Sequence, residues 1–341
     1  MLARSDLGWQ GQDRQEPDWK TELRQAFTRP DALRAFLGLP CVPESSSAAS
    51  PVQGFRLLVP RGFAALMEPG NPDDPLLRQV LPLPVEDEFH PGFSVDPVGD
   101  SRAALAPGLL QKYRGRALLV STPACAVHCR YCFRRHYPYA DAALSADRRT
   151  AALAAIAANP TITEVILSGG DPLMLDDEPL ATLIEALSAI PHLQRLRIHT
   201  RLPVVLPARI TPALCQVLEP RRLRLVVVIH ANHPRELSDA AGEALDRLRG
   251  VGAMLLNQSV LLRGVNDSLG TLCDLSERLF HCGVVPYYLH LLDRVQGAAH
   301  FEVQEAEARH LMSVLRLRLP GYLVPRLVRE EVGTASKIPI A

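Results

Sequence analysis

The chain has 341 residues, of which 47% are hydrophobic and 22% charged, and its 37 Lys and Arg residues balance its 37 Asp and Glu residues. This composition is typical of a globular protein with one large domain or two smaller ones. Balanced charge gives no general attraction to nucleic acid or to an anionic membrane. No apolar segment resembles a secretion signal or a membrane span. We therefore expect a cytoplasmic protein with no nucleic-acid partner and no membrane partner.

The first third of the chain is rich in proline and predicts helical and irregular structure. Residues 19–39 carry apolar side chains at near-helical spacing, and Asp31 could cap a second helix start after Pro30. Turn-forming residues dominate 69–100, which we interpret as an ordered but irregular wrap or lid without chemistry of its own. We predict a mostly helical N-terminal extension over residues 1–110.

After residue 115, short apolar runs alternate with amphipathic stretches. The apolar runs predict strands at 117–121, 164–167, 196–199, 223–230, 253–256 and 284–289. The amphipathic stretches predict helices at 146–158, 178–189, 212–218, 234–249, 269–282 and 304–319. Apolar strands separated by helices are typical of a parallel sheet covered by helices, and six βα units are too few for a complete eightfold barrel. The predicted fold class is α/β, a partial (β/α)6 TIM-like barrel over 111–325, followed by a C-terminal segment over 326–341.

Polar and metal-binding residues follow nearly every predicted strand. They lie at 125–132, 168–171, 200–201, 230–233, 257–258 and Asp293. In parallel α/β folds, the loops that leave the carboxyl ends of the strands meet on one face and build the site. The sequence therefore predicts a functional site on that face.

Cys125, Cys129 and Cys132 lie within eight residues of one another, directly after a predicted strand. Seven cysteines in a chain without a secretion signal argue against a disulfide framework, and this crowding indicates a metal centre. A cubane iron–sulfur cluster normally takes four thiolates, so three would leave one iron open to a substrate or cofactor. A zinc site completed by His128 or His136 is an alternative. Three unliganded thiols so close together would be prone to oxidation.

The spacing C-x3-C-x2-C, with an aromatic residue before the last cysteine, resembles the motif of the radical SAM superfamily. This resemblance implies a 4Fe–4S cluster whose open iron binds S-adenosylmethionine (SAM), and reductive cleavage of SAM to a 5′-deoxyadenosyl radical. The loop after the next strand is similar to the superfamily's Gly-Gly-Glu/Asp loop, which holds the methionyl amino group of SAM; its residues are Ser168, Gly169, Gly170 and Asp171. Glycines would permit close backbone approach and the carboxylate could pair with an ammonium. On its own, the same sequence would be an ordinary turn.

Further stretches resemble the lysine 2,3-aminomutase family, from about residue 70 to the end of the chain. They lie at 132–136, 166–173, 202–211, 230–236, 257–267 and 286–288, together with Asp293. The resemblance implies an isomerase that combines the radical SAM centre with pyridoxal 5′-phosphate (PLP) and moves the amino group of L-lysine from Cα to Cβ. It also implies that Lys337 binds PLP as a Schiff base. A lysine so near a C-terminus is otherwise most often a solvated surface charge.

The resemblance assigns the substrate contacts as well. Arg134 matches the position that binds the substrate carboxylate, a task that suits the planar fork of arginine, although a solvated surface arginine is the alternative. Asp293 and Glu330 match the two carboxylates that bind the substrate ε-ammonium, which favours a cationic side chain. The usual lysine enzyme carries Asp at the position of Glu330. The longer side chain would shrink the pocket by about one methylene, and Glu331 is an alternative partner.

The remaining cofactor contacts are predicted from position. We nominate Arg116, on the strand that leads to the cysteines, for the PLP phosphate, with Arg114 and Arg201 as competitors. His230 and Gln258, at strand exits, are candidates for contacting SAM, and otherwise are hydrogen-bonded residues at strand ends.

The sequences of residues 85–93 and of the segment from Arg329 to Lys337 resemble one branch of the family. Members of this branch make (R)-β-lysine, which a separate ligase attaches to elongation factor P. The catabolic members have a zinc-binding C-terminal extension that this chain does not show, and Ser268 stands where they place a zinc cysteine. We expect L-lysine as the substrate, free or already attached to the factor, a functional link to elongation factor P and its lysyl ligase, and an electron donor such as flavodoxin.

Two alternatives stay open at this point. One is a free-standing amino acid 2,3-aminomutase without a link to translation. The other, from a different class, is a non-enzymatic zinc-binding or translation-associated interaction protein.

Overall fold

The computed structural model describes residues 18–40, 55–139, 145–219 and 222–341. Its centre is one ten-stranded sheet in which the strands follow one another in chain order. The strands are β1 Ala104–Ala106, β2 Leu109–Leu110, β3 Arg116–Thr122, β4 Glu164–Gly169, β5 Arg195–Thr200, β6 Arg224–Ile229, β7 Met254–Val260, β8 Val285–His290, β9 Arg326–Arg329 and β10 Ile338–Pro339. Neighbours from β3 to β9 pair in parallel, and β1, β2 and β10 pair antiparallel at the two edges.

The parallel sheet confirms the predicted fold class. All six predicted strands form, as β3 to β8, and β9 continues the parallel array beyond residue 325. The segment that carries Lys337 is therefore attached to the sheet through β9 and β10. β4 is buried along nearly its whole length, because an apolar run suits a strand with both faces covered.

Helices alternate with the parallel strands. The helices are α1 Trp19–Arg24, α2 Pro30–Phe36, α3 Arg61–Ala64, α4 Pro75–Arg78, α5 Ala146–Ala158, α6 Asp177–Ser188, α7 Leu202–Val205, α8 Pro212–Leu218, α9 Asp239–Gly250, α10 Leu269–His281 and α11 Glu305–Arg318. α10 shows how they pack, since Leu272, Leu275 and Leu279 repeat at helical spacing and are buried. Ser268 accepts a hydrogen bond from Thr271 N and caps this helix. Among the residues described, no helix is long and apolar enough to cross a membrane.

Two predicted helices differ from the structure. The stretch 19–39 forms two short helices, separated where Phe27 pairs with Val59 across an isolated bridge, and the second starts at Pro30. Asp31 does not cap it: the N-cap residue is Arg29, which makes no side-chain cap hydrogen bond. The helix predicted at 234–249 begins only at Asp239, because a 3-10 turn, Pro234–Glu236, precedes it.

The stretch 69–100 is ordered and irregular, as predicted, with α4 and short 3-10 turns. Its buried polar side chains Gln79, Glu86 and Asp100 form hydrogen bonds with residues that follow the parallel strands. No chemistry was expected of this stretch, but Asp100 lines the cavity described below.

Candidate active site

A single cavity at the carboxyl ends of the parallel strands brings together every site residue predicted from the sequence. They are Arg116, Cys125, Cys129, Cys132, Arg134, Ser168, Gly169, Gly170, Asp171, His230, Gln258, Asp293, Glu330 and Lys337. Most of them follow a strand, as expected. Gln258 was expected in a loop, and it lies inside β7, which continues to Val260. Ser168 and Gly169, expected in the next loop, are the last two residues of β4.

The three cysteines lie in the loop after β3, and all line the cavity. Burial and the neighbouring thiols raise the pKa of Cys125 well above its usual value and that of Cys132 to about 11. Metal binding would require their thiolate forms, so metal and protons compete here. Within the described part of the chain, no three His, Cys, Asp or Glu side chains meet closely enough to hold a single metal ion.

The histidines of the zinc alternative are engaged elsewhere. His128 Nδ1 lies 2.7 Å from the carbonyl oxygen of Arg56, and the imidazole stacks on Phe55 at 5.1 Å. His136 Nε2 lies 3.1 Å from the carbonyl oxygen of Gln296. Neither lines the cavity, so the geometry does not favour a zinc site completed by either histidine.

The donor set at the cysteines suits an anionic iron–sulfur cluster. Three thiols from one short loop are available, and Arg201 Nη1 donates a hydrogen bond to Cys129 Sγ at 2.8 Å. Arg201 Nε is buried and has no hydrogen-bond partner among the described residues. Thiolates hold such clusters, and N–H groups that donate hydrogen bonds to the sulfur atoms influence their reduction potential.

Two glycines, the last residue of β4 and the first residue after it, allow this segment to pack against the one that leads into the cysteines. A Cβ on Gly170 would lie 2.2 Å from the carbonyl oxygen of Ala124, and one on Gly169 would lie 2.7 Å from that of Thr122. Gly169 also has a φ of 124°, which glycine adopts readily. These glycines were expected to permit close approach to SAM; their contacts show that they fit the loop to the protein itself.

The carboxylate of Asp171 is bound by protein donors. It accepts hydrogen bonds from Leu173 N at 3.0 Å, Thr200 Oγ1 at 2.8 Å and Arg201 N at 2.7 Å. Burial raises its pKa to about 6 although these hydrogen bonds oppose the shift. Asp171 therefore joins the exits of β4 and β5, and an ammonium group of SAM would have to share its oxygens with these donors.

A chain of alternating charges runs along one wall of the cavity. Arg134 Nε donates to Asp100 Oδ2 at 2.6 Å, and Lys112 Nζ lies 2.6 Å from Asp100 Oδ1. Lys112 Nζ also donates to Glu330 Oε1 at 2.9 Å, and Lys337 Nζ donates to Glu330 Oε2 at 2.8 Å. The two cationic ends of this chain are the residues predicted for the substrate carboxylate and for PLP.

Lys112 and Asp100 are site residues that the sequence analysis missed. Lys112 is one of only three lysines in the chain, with Lys20 and Lys337, and that scarcity was a signal that could have found it. Asp100 ends a stretch rich in turn-forming residues, and nothing in its surroundings marks it out.

The pKa values of the two carboxylates predicted for the substrate ammonium are shifted in opposite directions. Burial would raise the pKa of Glu330, but Lys337 and Lys112 outweigh it and bring that pKa down to about 2. Burial and the charge of Glu330 raise the pKa of Asp293 to about 7. Asp293 makes no side-chain hydrogen bond or ion pair within the described residues. Glu331 is exposed and paired with Arg329, away from the cavity.

Arg116 is better placed than its competitors to meet an anion in the cavity. It lies 4.5 Å from the ring centroid of Tyr113 and makes no ion pair with any described residue. Arg114 is exposed and does not line the cavity. Arg201 is already paired with Glu236, at 2.8 Å.

Neutral histidines lie in the interior of the barrel. Burial, with Arg201 and Lys337 nearby, lowers the pKa of His230 to about 3, and burial also lowers the pKa of His199 and of His290. His230 Nε2 lies 2.8 Å from Gln258 Nε2. Each uncharged imidazole can donate one hydrogen bond and accept another.

A parallel sheet with a three-cysteine loop after one strand and a Gly-Gly-Asp loop after the next defines a radical SAM enzyme. Residues 119–272 match the family model "Radical SAM superfamily". The chain is 50% identical to L-lysine 2,3-aminomutase of Escherichia coli over 95% of its own length and 94% of the relative's. The corresponding enzyme of Haemophilus influenzae is 48% identical, over 95% and 96%, and that of Clostridium subterminale 33%, over 98% and 79%. The chain belongs to the lysine 2,3-aminomutase family and is an isomerase. Enzymes of this family use a 4Fe–4S cluster, SAM and PLP.

Proposed function

We propose that the enzyme converts L-lysine to (R)-β-lysine in a PLP-dependent radical reaction, and that the product serves the modification of elongation factor P. One observation carries the reaction: the three cysteines, the Gly-Gly-Asp loop, Lys337 and Asp293 all line the same cavity. The relatives that match the chain bear the name L-lysine 2,3-aminomutase.

Cys125, Cys129 and Cys132 would hold the cluster, Lys337 would hold PLP and Arg116 the PLP phosphate. When bound, PLP supplies a conjugated system that delocalises spin or charge during the amino-group migration. Arg116 fits the phosphate because its guanidinium lines the cavity and makes no ion pair within the described residues.

Arg134 and Asp293 would fix the two ends of the substrate. Arg134 uses Nε for Asp100 and Nη1 for Ser168 Oγ, and Nη2 makes no hydrogen bond within the described part of the protein, so it is available for the substrate carboxylate. Asp293 has no counter-ion there, so an incoming ε-ammonium would be its first ionic partner. Glu330, already bound by two lysines, would contribute mainly through its charge.

Apolar side chains would protect a radical intermediate. Ile166, Val205 and Val260 line the cavity together with Tyr287 and Tyr288. A carbon radical reacts with whatever lies nearby, so excluding water and holding the substrate rigidly are the main tasks of these residues.

The reaction is tested by anaerobic reconstitution with iron, sulfide and PLP, followed by incubation with free L-lysine, SAM and a strong reductant. We expect β-lysine with the R configuration, detected by chiral chromatography. A protein with a full cluster and bound PLP that makes no β-lysine would contradict the proposal for free lysine. A protein that binds no iron after anaerobic purification and reconstitution would instead contradict the proposed cluster at the three cysteines.

The link to elongation factor P rests on the sequence resemblance of residues 85–93 and of the stretch from Arg329 to Lys337. It is tested by mass spectrometry of the factor after incubation with its lysyl ligase and the enzyme's product. We expect the ligase to prefer this product over L-lysine. If lysine were rearranged only after its attachment to the factor, the proposed order, rearrangement before attachment, would be reversed. A cytoplasmic location and an electron donor such as flavodoxin belong to the same proposal.

A further inference from the structure

Arg201 lies directly beside one of the proposed cluster ligands. It follows the end of β5, and its Nη1 donates a hydrogen bond to Cys129 Sγ at 2.8 Å. The residue is only 6% exposed, so water screens its charge weakly. A hydrogen bond to a thiolate sulfur and a nearby charge both influence the reduction potential of an iron–sulfur cluster.

The guanidinium of Arg201 is held firmly in this position. Its Nη2 donates to Glu236 Oε2 at 2.8 Å and to Gln79 Oε1 at 2.7 Å. The ring centroids of Phe63 and Tyr131 lie 5.5 and 5.7 Å away. These contacts come from the N-terminal wrap, the cysteine loop and the segment after β6, so the position of the charge depends on three separate parts of the fold.

We propose that Arg201 and Glu236 set the reduction potential of the cluster with effects of opposite sign. Arg201 raises the potential, and Glu236 lowers it by a smaller amount because the guanidinium stands between this carboxylate and Cys129. This inference rests on the proposed cluster at the three cysteines. Arg201 acts through Cys129 and is therefore a positioning residue.

The direction of each effect follows from the charge of the cluster. Reduction transfers one electron from an external low-potential donor to the cluster, breaks no bond and makes the cluster one unit more negative. A nearby cation stabilises the reduced form more than the oxidised form, and a nearby anion destabilises it. Removing Arg201 should therefore shift the midpoint potential to more negative values, and removing the charge of Glu236 should shift it to more positive values.

The test compares Arg201→Gln with Glu236→Gln in the reconstituted protein without substrate. The cluster is titrated anaerobically against a low-potential reductant, and its reduced form is followed by electron paramagnetic resonance. Glu236→Gln keeps one side-chain oxygen for the backbone N–H groups of Asn232 and His233, which now donate to Oε1 at 3.0 Å. We expect a negative shift for Arg201→Gln and a smaller positive shift for Glu236→Gln.

Arg209→Gln is the matched control for loss of a buried arginine. Arg209 is 1% exposed, donates to the carbonyl oxygen of Leu173 at 2.7 Å and pairs with Asp177, but it does not line the cavity. It should lower stability and leave the midpoint potential unchanged.

The outcomes separate this inference from the proposed function. A wild-type protein that assembles no cluster would contradict the proposed function. A wild-type cluster whose potential neither variant changes, or both change in the same direction, would overturn the inference alone. If Arg201→Gln fails to assemble a cluster, Glu236→Gln decides: a positive shift supports the inference, and an unchanged or negative one overturns it.

Discussion

Two of the three lysines of the chain share the carboxylate of Glu330. Lys112 bridges Glu330 and Asp100, whereas Lys337 has Glu330 as its one ionic partner among the described residues and lies 5.9 Å from the ring centroid of Tyr288. A lysine that forms a covalent bond with a cofactor must be able to leave its ionic partner, and one partner is easier to leave than two. This difference supports the proposal that Lys337, and not Lys112, binds PLP.

Replacing Lys337 by Ala should abolish covalent PLP binding and leave the cluster intact. Without this amine the visible absorbance of bound PLP should disappear, while the iron content stays near that of the wild type. Reduction with borohydride and peptide mapping should label Lys337 in the wild type and also in a Lys112→Ala control. A label on Lys112 in the wild type would show that the roles of the two lysines are exchanged.

Asp293 should make lysine binding depend on pH. Its raised pKa, about 7, means that the carboxyl group is neutral below this pH and anionic above it, while the substrate ε-ammonium, with a pKa near 10.4, stays charged. KM for lysine should therefore fall as the pH rises through 7. In Asp293→Asn this dependence should disappear, and KM should be roughly tenfold to a hundredfold higher, as for a lost hydrogen bond to a charged group.

Exposed Glu331 is the matched control for this prediction. It pairs with Arg329 outside the cavity, so Glu331→Gln should leave KM and its pH profile unchanged. Kinetics from pH 6 to 8 on the three proteins provide the measurement. An unchanged profile in Asp293→Asn would mean that another group receives the substrate ammonium.

At the scale of the elements, short apolar runs between turn-forming residues predicted the parallel strands, although β4 is buried almost throughout whereas β5 and β7 alternate buried and partly exposed residues. Pro30 indicates the second helix start from the sequence alone, and the turn Pro234–Glu236 delays the start of α9. The bridge from Phe27 to Val59, which also separates α1 from α2, joins residues far apart in the chain, so no local pattern contains it. The strand exits predicted most of the site, but the pairing of Lys112 with Glu330 spans 218 residues and became visible only in the fold.

The packing of the Gly-Gly-Asp loop on the cysteine segment gives a prediction for these two elements. In Gly170→Ala the new Cβ would lie 2.2 Å from the carbonyl oxygen of Ala124, so one of the two segments must move. We expect a loss of roughly 1–3 kcal/mol in the free energy of unfolding and a lower iron content after reconstitution. Gly270→Ala in α10 is the control, because its Cβ would meet no atom within 4 Å. Equal iron contents in the two variants would show that the loop accommodates a Cβ at residue 170 without disturbing the cysteine segment.

At the scale of the whole molecule, the N-terminal wrap and the barrel form one electrostatic unit. Gln79, the residue after α4, donates from Nε2 to Glu236 Oε1 at 2.9 Å. This hydrogen bond connects the wrap to the segment after β6. Glu86, in the wrap, pairs with Arg130 at 2.9 Å and with Arg135 at 2.8 Å. These ion pairs attach the cysteine loop to the wrap. The sequence pattern predicted that the wrap is irregular. The ion pairs that attach it to the cysteine loop could not be predicted, because periodicity does not show which buried charges are close in space.

Glu86→Gln should test whether the wrap and the barrel unfold together. The Glu86 side chain is 1% exposed, and its loss would leave Arg130 and Arg135 without their carboxylate, a change that typically costs about 3–5 kcal/mol in a protein interior. We expect a lower Tm with a single transition and faster loss of iron, measured by circular dichroism and by iron release to a chelator. Exposed Glu88, only 3.7 Å from His90, is the control, and Glu88→Gln should change the stability by no more than about 1 kcal/mol. Two separate transitions in Glu86→Gln would mean that the wrap folds independently of the barrel, and iron release would then no longer follow its unfolding.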